Sequence, residues 1–199
     1  MSDLINVAVV YHSSSGHTAR MAEAAAEGAE DVAGTRASLI RLEGYAVAWE
    51  SLAAQLAAAD AIIFGCPTHM GSVSAPFKAF MDASVRAWQA GAWRDKVAGA
   101  FVCSANPSGD KLQSLQQLAV FAAQHGMIWV GLDVQGDPHG EEGGLNRLGS
   151  WLGAMGQAEP RASVVDAPPA GDLRTAAYLG RRLATAAARW RRGQGGVLL

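Results

Sequence analysis

Short continuous apolar runs alternate with longer Ala-rich amphipathic stretches through the first two thirds of the chain. Ile5 to Tyr11, Ala61 to Gly65, Val97 to Cys103 and Met127 to Leu132 lack the in-out alternation of a half-exposed strand, and Ala37 to Leu42 is a weaker fifth run. Strands covered by helices on both faces have this character. The segments between them, Thr18 to Val32, Ser51 to Ala58, Ala75 to Gln89 and Lys111 to His125, predict helices. The resulting order predicts an α/β fold: a doubly wound, five-stranded parallel sheet in three α/β/α layers.

Boundary residues agree with this reading. Ser74 suits a helix cap before Ala75-Pro76, where the missing proline N–H costs nothing, and Gly126 suits the left-handed residue that ends a helix. Beyond Leu132 the pattern loosens. Asp133 to Gly144 reads as a long Gly-rich loop containing His139, Leu145 to Met155 as a short helix or an extended segment, Glu159 to Ala170 as a linker, and Asp172 to Arg192 as a last helix. One domain over 1–199 is expected, with its core at about 4–132 and a loop and helix over 133–199.

Composition narrows the function. The chain is 50% hydrophobic and 17% charged with net charge −2, which excludes disorder and argues against a nucleic-acid binder, whose affinity comes from a basic surface. Two cysteines are too few for a disulfide scaffold or zinc cluster. Asp3 stands where a signal peptide needs positive charge, and no apolar stretch reaches the roughly 18 residues of a membrane span, so a cytoplasmic protein without a membrane span is expected.

The sharpest local signal is the first apolar run followed by His12-Ser13-Ser14-Ser15-Gly16-His17-Thr18 and an Ala-rich helix. A buried strand feeding a hydroxyl- and glycine-rich loop into a helix start is the geometry of an anion cradle. The Ser13, Ser15 and Thr18 hydroxyls add donors, and Gly16 permits close approach. The lysine of a nucleoside-triphosphate loop and the extra glycines of a dinucleotide fingerprint are missing. Neutral donors suit a monoester phosphate such as that of a mononucleotide flavin; the plainer reading is a βα turn capped by Thr18. Two further loops, Gly65 to Ser74 and Cys103 to Gly109, fall at the same sheet edge, where ligands of parallel α/β folds bind.

Together, Tyr11 to Thr18, Ile62 to Gly71, Trp88-x-x-Gly91 and His125-Gly126-Met127 resemble the flavodoxin-like NAD(P)H:quinone oxidoreductases of the WrbA type over about residues 4 to 132. The resemblance implies a flavodoxin-like fold, tightly bound FMN, and two-electron reduction of quinones by NAD(P)H. It implies that Ser13, Ser14, Ser15, Gly16, His17 and Thr18 surround the phosphate. By the same resemblance Pro67, Thr68, His69, Met70, Gly71 and Ser72 line the ribityl chain and ring edge, and Ser104, Ala105, Asn106, Pro107, Ser108 and Gly109 face the pyrimidine side. His125 is implied to sit beside flavin and substrate as the catalytic residue, with Ser15 and Trp88 on the substrate face, Trp88 often across the interface of a homodimer or homotetramer.

Two other functions fit the same fold: an electron-shuttling flavodoxin and an NAD(P)H-dependent FMN reductase. The weak net charge and the lack of Phe, Tyr or Trp in loops 66–74 and 103–109 count against the shuttle. A receiver domain is excluded because Gly65-Cys66 stands where its phosphoacceptor aspartate would be. Cys66 and Cys103 lack the arginine of a phosphatase loop and read as inert core thiols. His17, His69 and His125 fall on separate elements without ligand spacing, so no metal is expected. Trp93, like Trp88, flanks Gly91 and is a candidate to reach a neighbouring subunit. The arginines of the last helix read as a solvated face.

Overall fold

The computed structural model describes residues 4–45, 47–136 and 144–194. Strand β1 (Ile5–Tyr11) pairs in parallel with β2 (Thr35–Arg41) on one side and β3 (Ala61–His69) on the other. Beyond β3 come β5 (Val97–Ser104) and β6 (Ile128–Trp129), giving the order β2-β1-β3-β5-β6. The short strand β4 (Ser72–Val73) folds back antiparallel on the end of β3.

Alternation along each strand divides its apolar residues between two cores, which explains why the runs are continuous. Val7, Val9, Ile63 and Phe101 face helices α1 (His17–Glu30) and α6 (Ala170–Gln194), whose buried apolar residues are mostly alanine. Ala8, Val10, Ile62, Phe64 and Val102 face the opposite layer. That layer contains α2 (Trp49–Ala58), α3 (Ala75–Ala83), α4 (Val85–Gln89) and α5 (Lys111–Gln124), whose contribution is bulky: Phe77, Phe80, Leu115, Leu118 and Phe121, with Trp93 from the α4–β5 connection. Helices α1 and α6 touch backbone to backbone. A Cβ on Gly28 would strike the Ala177 carbonyl, and one on Gly180 the Ala25 carbonyl.

The structure corrects three local expectations. Met127 to Leu132 is no single strand: β6 ends at Trp129, and β7 (Ala154–Gln157) resumes the same position beside Phe101–Ser104 of β5. The run breaks because Leu132 donates its N–H to the Trp151 carbonyl (2.8 Å), pairing with its own return segment instead of β5. Ala75 to Gln89 is two helices, interrupted at Ser84, whose hydroxyl donates to the Met81 carbonyl (2.7 Å). Ser74 occupies the N-cap position of α3, but its hydroxyl meets His12 Nδ1 at 2.9 Å and caps nothing. The Gly126 expectation holds, with φ 72. His139 and most of its loop lie outside the described residues.

Candidate functional site

Strand order reverses about β1, so the carboxyl ends of β1 and β3 flank a crevice, with the end of β5 next to it. Each of the three loops leaving these ends is held differently.

In the first, Gly16 (φ 93) opens α1. Ser13 is buried, and its Oγ accepts from the Gly16 N–H (3.1 Å) and the Ala19 N–H (3.2 Å). Its oxygen therefore caps the helix, while its O–H stays available to donate. His17 is likewise occupied: Nε2 lies 3.0 Å from the Ala162 carbonyl and so donates, leaving Nδ1 to accept from the Ser15 hydroxyl (2.9 Å). Left without partners among the described residues are the Ser14 and Thr18 hydroxyls and the backbone N–H groups of Ser14, Ser15, His17 and Thr18. Consecutive free donors at a left-handed turn and helix start match a phosphate monoester.

Two cations stand close to this loop. Arg41 Nη2 is 3.4 Å from the Ser13 carbonyl, placed there because Arg41 pairs with Tyr11 across β1 and β2. Arg20, one turn into α1, donates to the Val164 carbonyl (3.1 Å). Sequence reasoning missed both; Arg20 was detectable as the residue four beyond Gly16, whereas Arg41 needs the strand register. The segment around Ala162–Val164 covers the loop so closely that a Cβ on Gly16 would lie 2.8 Å from Val164 Cγ1.

The second loop is mostly strand. β3 continues through Cys66, Pro67 and Thr68, all buried, and turns through Met70 (φ 49) and Gly71 (φ 73) into β4. Two successive left-handed residues make the tight hairpin turn that matches strand twist. Thr68 Oγ1 donates to Ser114 Oγ (2.9 Å) and Ser72 Oγ to Gln117 Oε1 (3.0 Å), so these hydroxyls fasten the hairpin to α5. Only His69 and the fully exposed Met70 present side chains outward from the turn. His12 links this loop to the first, and burial, then the nearby His69 and Arg41, hold its basicity below the ordinary value.

In the third loop, Asn106, Pro107 and Ser108 are exposed, and Gly109 (φ 49) and Asp110 (φ 53) turn the chain into α5. The backbone N–H groups of Asn106, Ser108, Gly109 and Asp110 have no partner among the described residues. They suit carbonyl acceptors on a planar ring. Behind the loop, Lys111 is fully buried and donates to Ser104 Oγ (2.9 Å) and the Asn106 carbonyl (2.6 Å). It is a third residue that sequence reasoning passed over. The available signal was a cation on the first residue of a helix, where the dipole disfavours it.

His125 and Trp88 are not at this edge. Helix α5 begins at the end of β5 and runs to the opposite end of the sheet, so His125, its C-cap, lies at the strands' amino ends. There His125 stacks on Trp93 (centroids 4.1 Å apart) and meets Phe121 edge-on, with Nε2 3.0 Å from Ser84 Oγ. Burial pushes its pKa down to about 4. The catalytic expectation for His125 is thus corrected within one chain: it is a neutral core residue. Trp93 is enclosed in the same cluster, contrary to its candidacy for a neighbouring site, and Trp88 is half-exposed on α4 towards that end. Burial raises the thiols of Cys66 and Cys103 to about 12, so neither is a nucleophile.

A family model described as NADPH-dependent FMN reductase matches residues 5–135. The chain belongs to that family. Among individual proteins, it is 42% identical over 178 residues to Flavodoxin FldP of Pseudomonas aeruginosa, covering 88% of this chain and 93% of that one. It is 33% identical to an NAD(P)H dehydrogenase (quinone) of Geobacter sulfurreducens, covering 93% and 98%. A solved flavodoxin, WrbA-like protein from Agrobacterium tumefaciens superposes with TM-score 0.74 at 43% identity, covering 93% of this chain and 98% of that one. This member of the FMN reductase family is a flavodoxin-like oxidoreductase, and FMN is the cofactor its free donors fit.

Proposed function

We propose that the protein holds FMN at the carboxyl edge and carries two electrons from NAD(P)H to a quinone through it. Bound FMN supplies the hydride and electron chemistry. Ser14 and the free N–H groups of residues 14–18 hold its phosphate, the Met70-Gly71 turn lies along its chain and ring edge, and the N–H groups of residues 106–110 receive its carbonyl oxygens. Arg41 and Arg20 stand beside the phosphate, their charge partly offset by Glu43 (3.1 Å) and Glu23 (3.9 Å).

One observation carries the choice of an enzyme over a carrier: residues 66–74 and 104–110 contain no Phe, Tyr or Trp to cover a ring face. An uncovered face is what nicotinamide and quinone need in turn. Trp88 is too far along the fold to serve its own site, so its place on the substrate face belongs to a second copy in a homodimer or homotetramer.

The experiment is a spectrum of the purified protein. The expected result is a yellow holoprotein that bleaches anaerobically on adding NADH or NADPH alone and regains colour with benzoquinone. A protein that takes up no FMN would refute the reading. A second reading, a flavodoxin serving partner proteins, draws on the name of the 42% identical relative. It is favoured if bound flavin bleaches only when a separate reductase is supplied.

A further inference from the structure

The function proposed above leaves unused a group of buried charges directly behind the third loop. Lys111 ties the loop to itself through Ser104 and Asn106. Arg147, from the segment between the two halves of the fifth strand position, makes a bidentate pair with Asp172 of α6, Nε to Oδ1 at 2.7 Å and Nη2 to Oδ2 at 3.0 Å. Asp172 Oδ2 also accepts from the Gln157 N–H (2.8 Å), and Arg147 Nη2 donates to Gln157 Oε1 (3.1 Å). Two cations against one carboxylate leave a net single positive charge, under a loop whose outward N–H groups are free.

Desolvating an ammonium is costly, and among the described residues no carboxylate is bonded to Lys111 to offset the cost. Holding the loop alone does not require a charge; a neutral amide would donate the same bonds. Burial lowers Lys111 to about 8, with Cys103 and Asp172 opposing the shift and Arg147 adding to it, so the group is still mainly cationic near neutral pH. A ring that accepted a hydride from NAD(P)H, released as NAD(P)⁺, would gain two electrons and one proton, hence one unit of negative charge that a cation behind the loop would favour.

We infer that Lys111 is a positioning residue with an electrostatic role: it fixes the third loop and supplies the positive charge that makes the site bind reduced FMN more tightly than oxidised FMN. The inference rests on the FMN reading of the same site.

The test compares dissociation constants for oxidised FMN, by fluorescence quenching, and reduced FMN, measured anaerobically, in wild type and Lys111→Gln, with thermal melting of both apoproteins. Glutamine keeps the donors and removes the charge. The expected result is oxidised FMN bound within about threefold of wild type and reduced FMN weakened at least about tenfold, equivalent to a potential about 30 mV lower for a two-electron couple. Equal losses in both states, or no change in either, would overturn the inference.

If Lys111→Gln does not fold, the wild type answers the same question. Among the described residues the groups facing Lys111 are Cys103 from β5, raised to about 12 by burial, Asp172 from α6 and the guanidinium of Arg147, while Lys111 itself, at about 8, gives up its charge between about pH 7 and about pH 10. The ratio of reduced to oxidised dissociation constants should therefore rise across that range, and a flat ratio would overturn the inference. A wild type that binds no FMN in either state overturns the FMN reading itself, a result distinct from FMN binding that is indifferent to Lys111.

Discussion

The two ends of the sheet treat a buried basic side chain in opposite ways. At the carboxyl end Lys111 is surrounded by hydroxyl, carbonyl and the Arg147–Asp172 pair, and it keeps its proton near neutrality. At the amino end His125 lies between Trp93 and Phe121 with Nδ1 buried and without a partner among the described residues, and it loses its proton far down the pH scale. Polar closure keeps charge available where a ligand would meet it; aromatic closure removes charge where only packing is at stake.

The comparison can be broken most forcefully at the amino end. Trp93→Ala should cost about 3–5 kcal/mol in denaturant unfolding, as truncation of a buried aromatic does, while the folded fraction binds FMN as wild type does. A parallel loss of FMN affinity would show that the ends are not separable.

His125 gives the next effect, with a definite sign. The fold accommodates the neutral ring, so its contribution is complete above the ordinary value of 6.5 and is lost as pH falls towards about 4. The loss should reach up to about 3 kcal/mol. His125→Phe should remove this part of the acid sensitivity in unfolding curves taken between those pH values.

At the carboxyl end the effects should appear in ligand binding first. Gly16→Ala places a side chain on a left-handed residue against Val164, and FMN affinity should fall by about 2 kcal/mol, or roughly 30-fold, in a fluorescence titration. Ser13→Ala removes the hydroxyl that caps α1, and should lower stability by about 1 kcal/mol in melting curves. If Ser13→Ala abolished FMN binding with stability unchanged, the hydroxyl would be a ligand donor after all.

What was legible in the sequence was local or periodic. The sandwiched strands, the Gly16 helix entry and the Gly126 stop follow from neighbouring residues, and so does the clustering of three polar loops at one edge. What was hidden depends on partners far along the chain. The break at Ser84 involves His125, the split of the fifth strand position follows from Leu132 meeting Trp151, and Thr68 is turned inward by Ser114. His125 was misplaced because its motif says nothing about which end of α5 faces the cofactor. Within the site, the backbone donors were readable from glycines and helix starts; the assignment of individual hydroxyls was not, since Ser13 and Ser15 have competitors inside the chain.

The divided fifth strand position also bears on how open that edge of the sheet is. Open sheet edges invite another chain to add a strand, and long unbroken ones are the hazard. Here the outer ladder is two residues, a detour from Val130 onward, then four residues. A foreign strand would find no continuous row of donors and acceptors to extend at this edge, whereas β2 at the opposite edge offers seven unbroken residues.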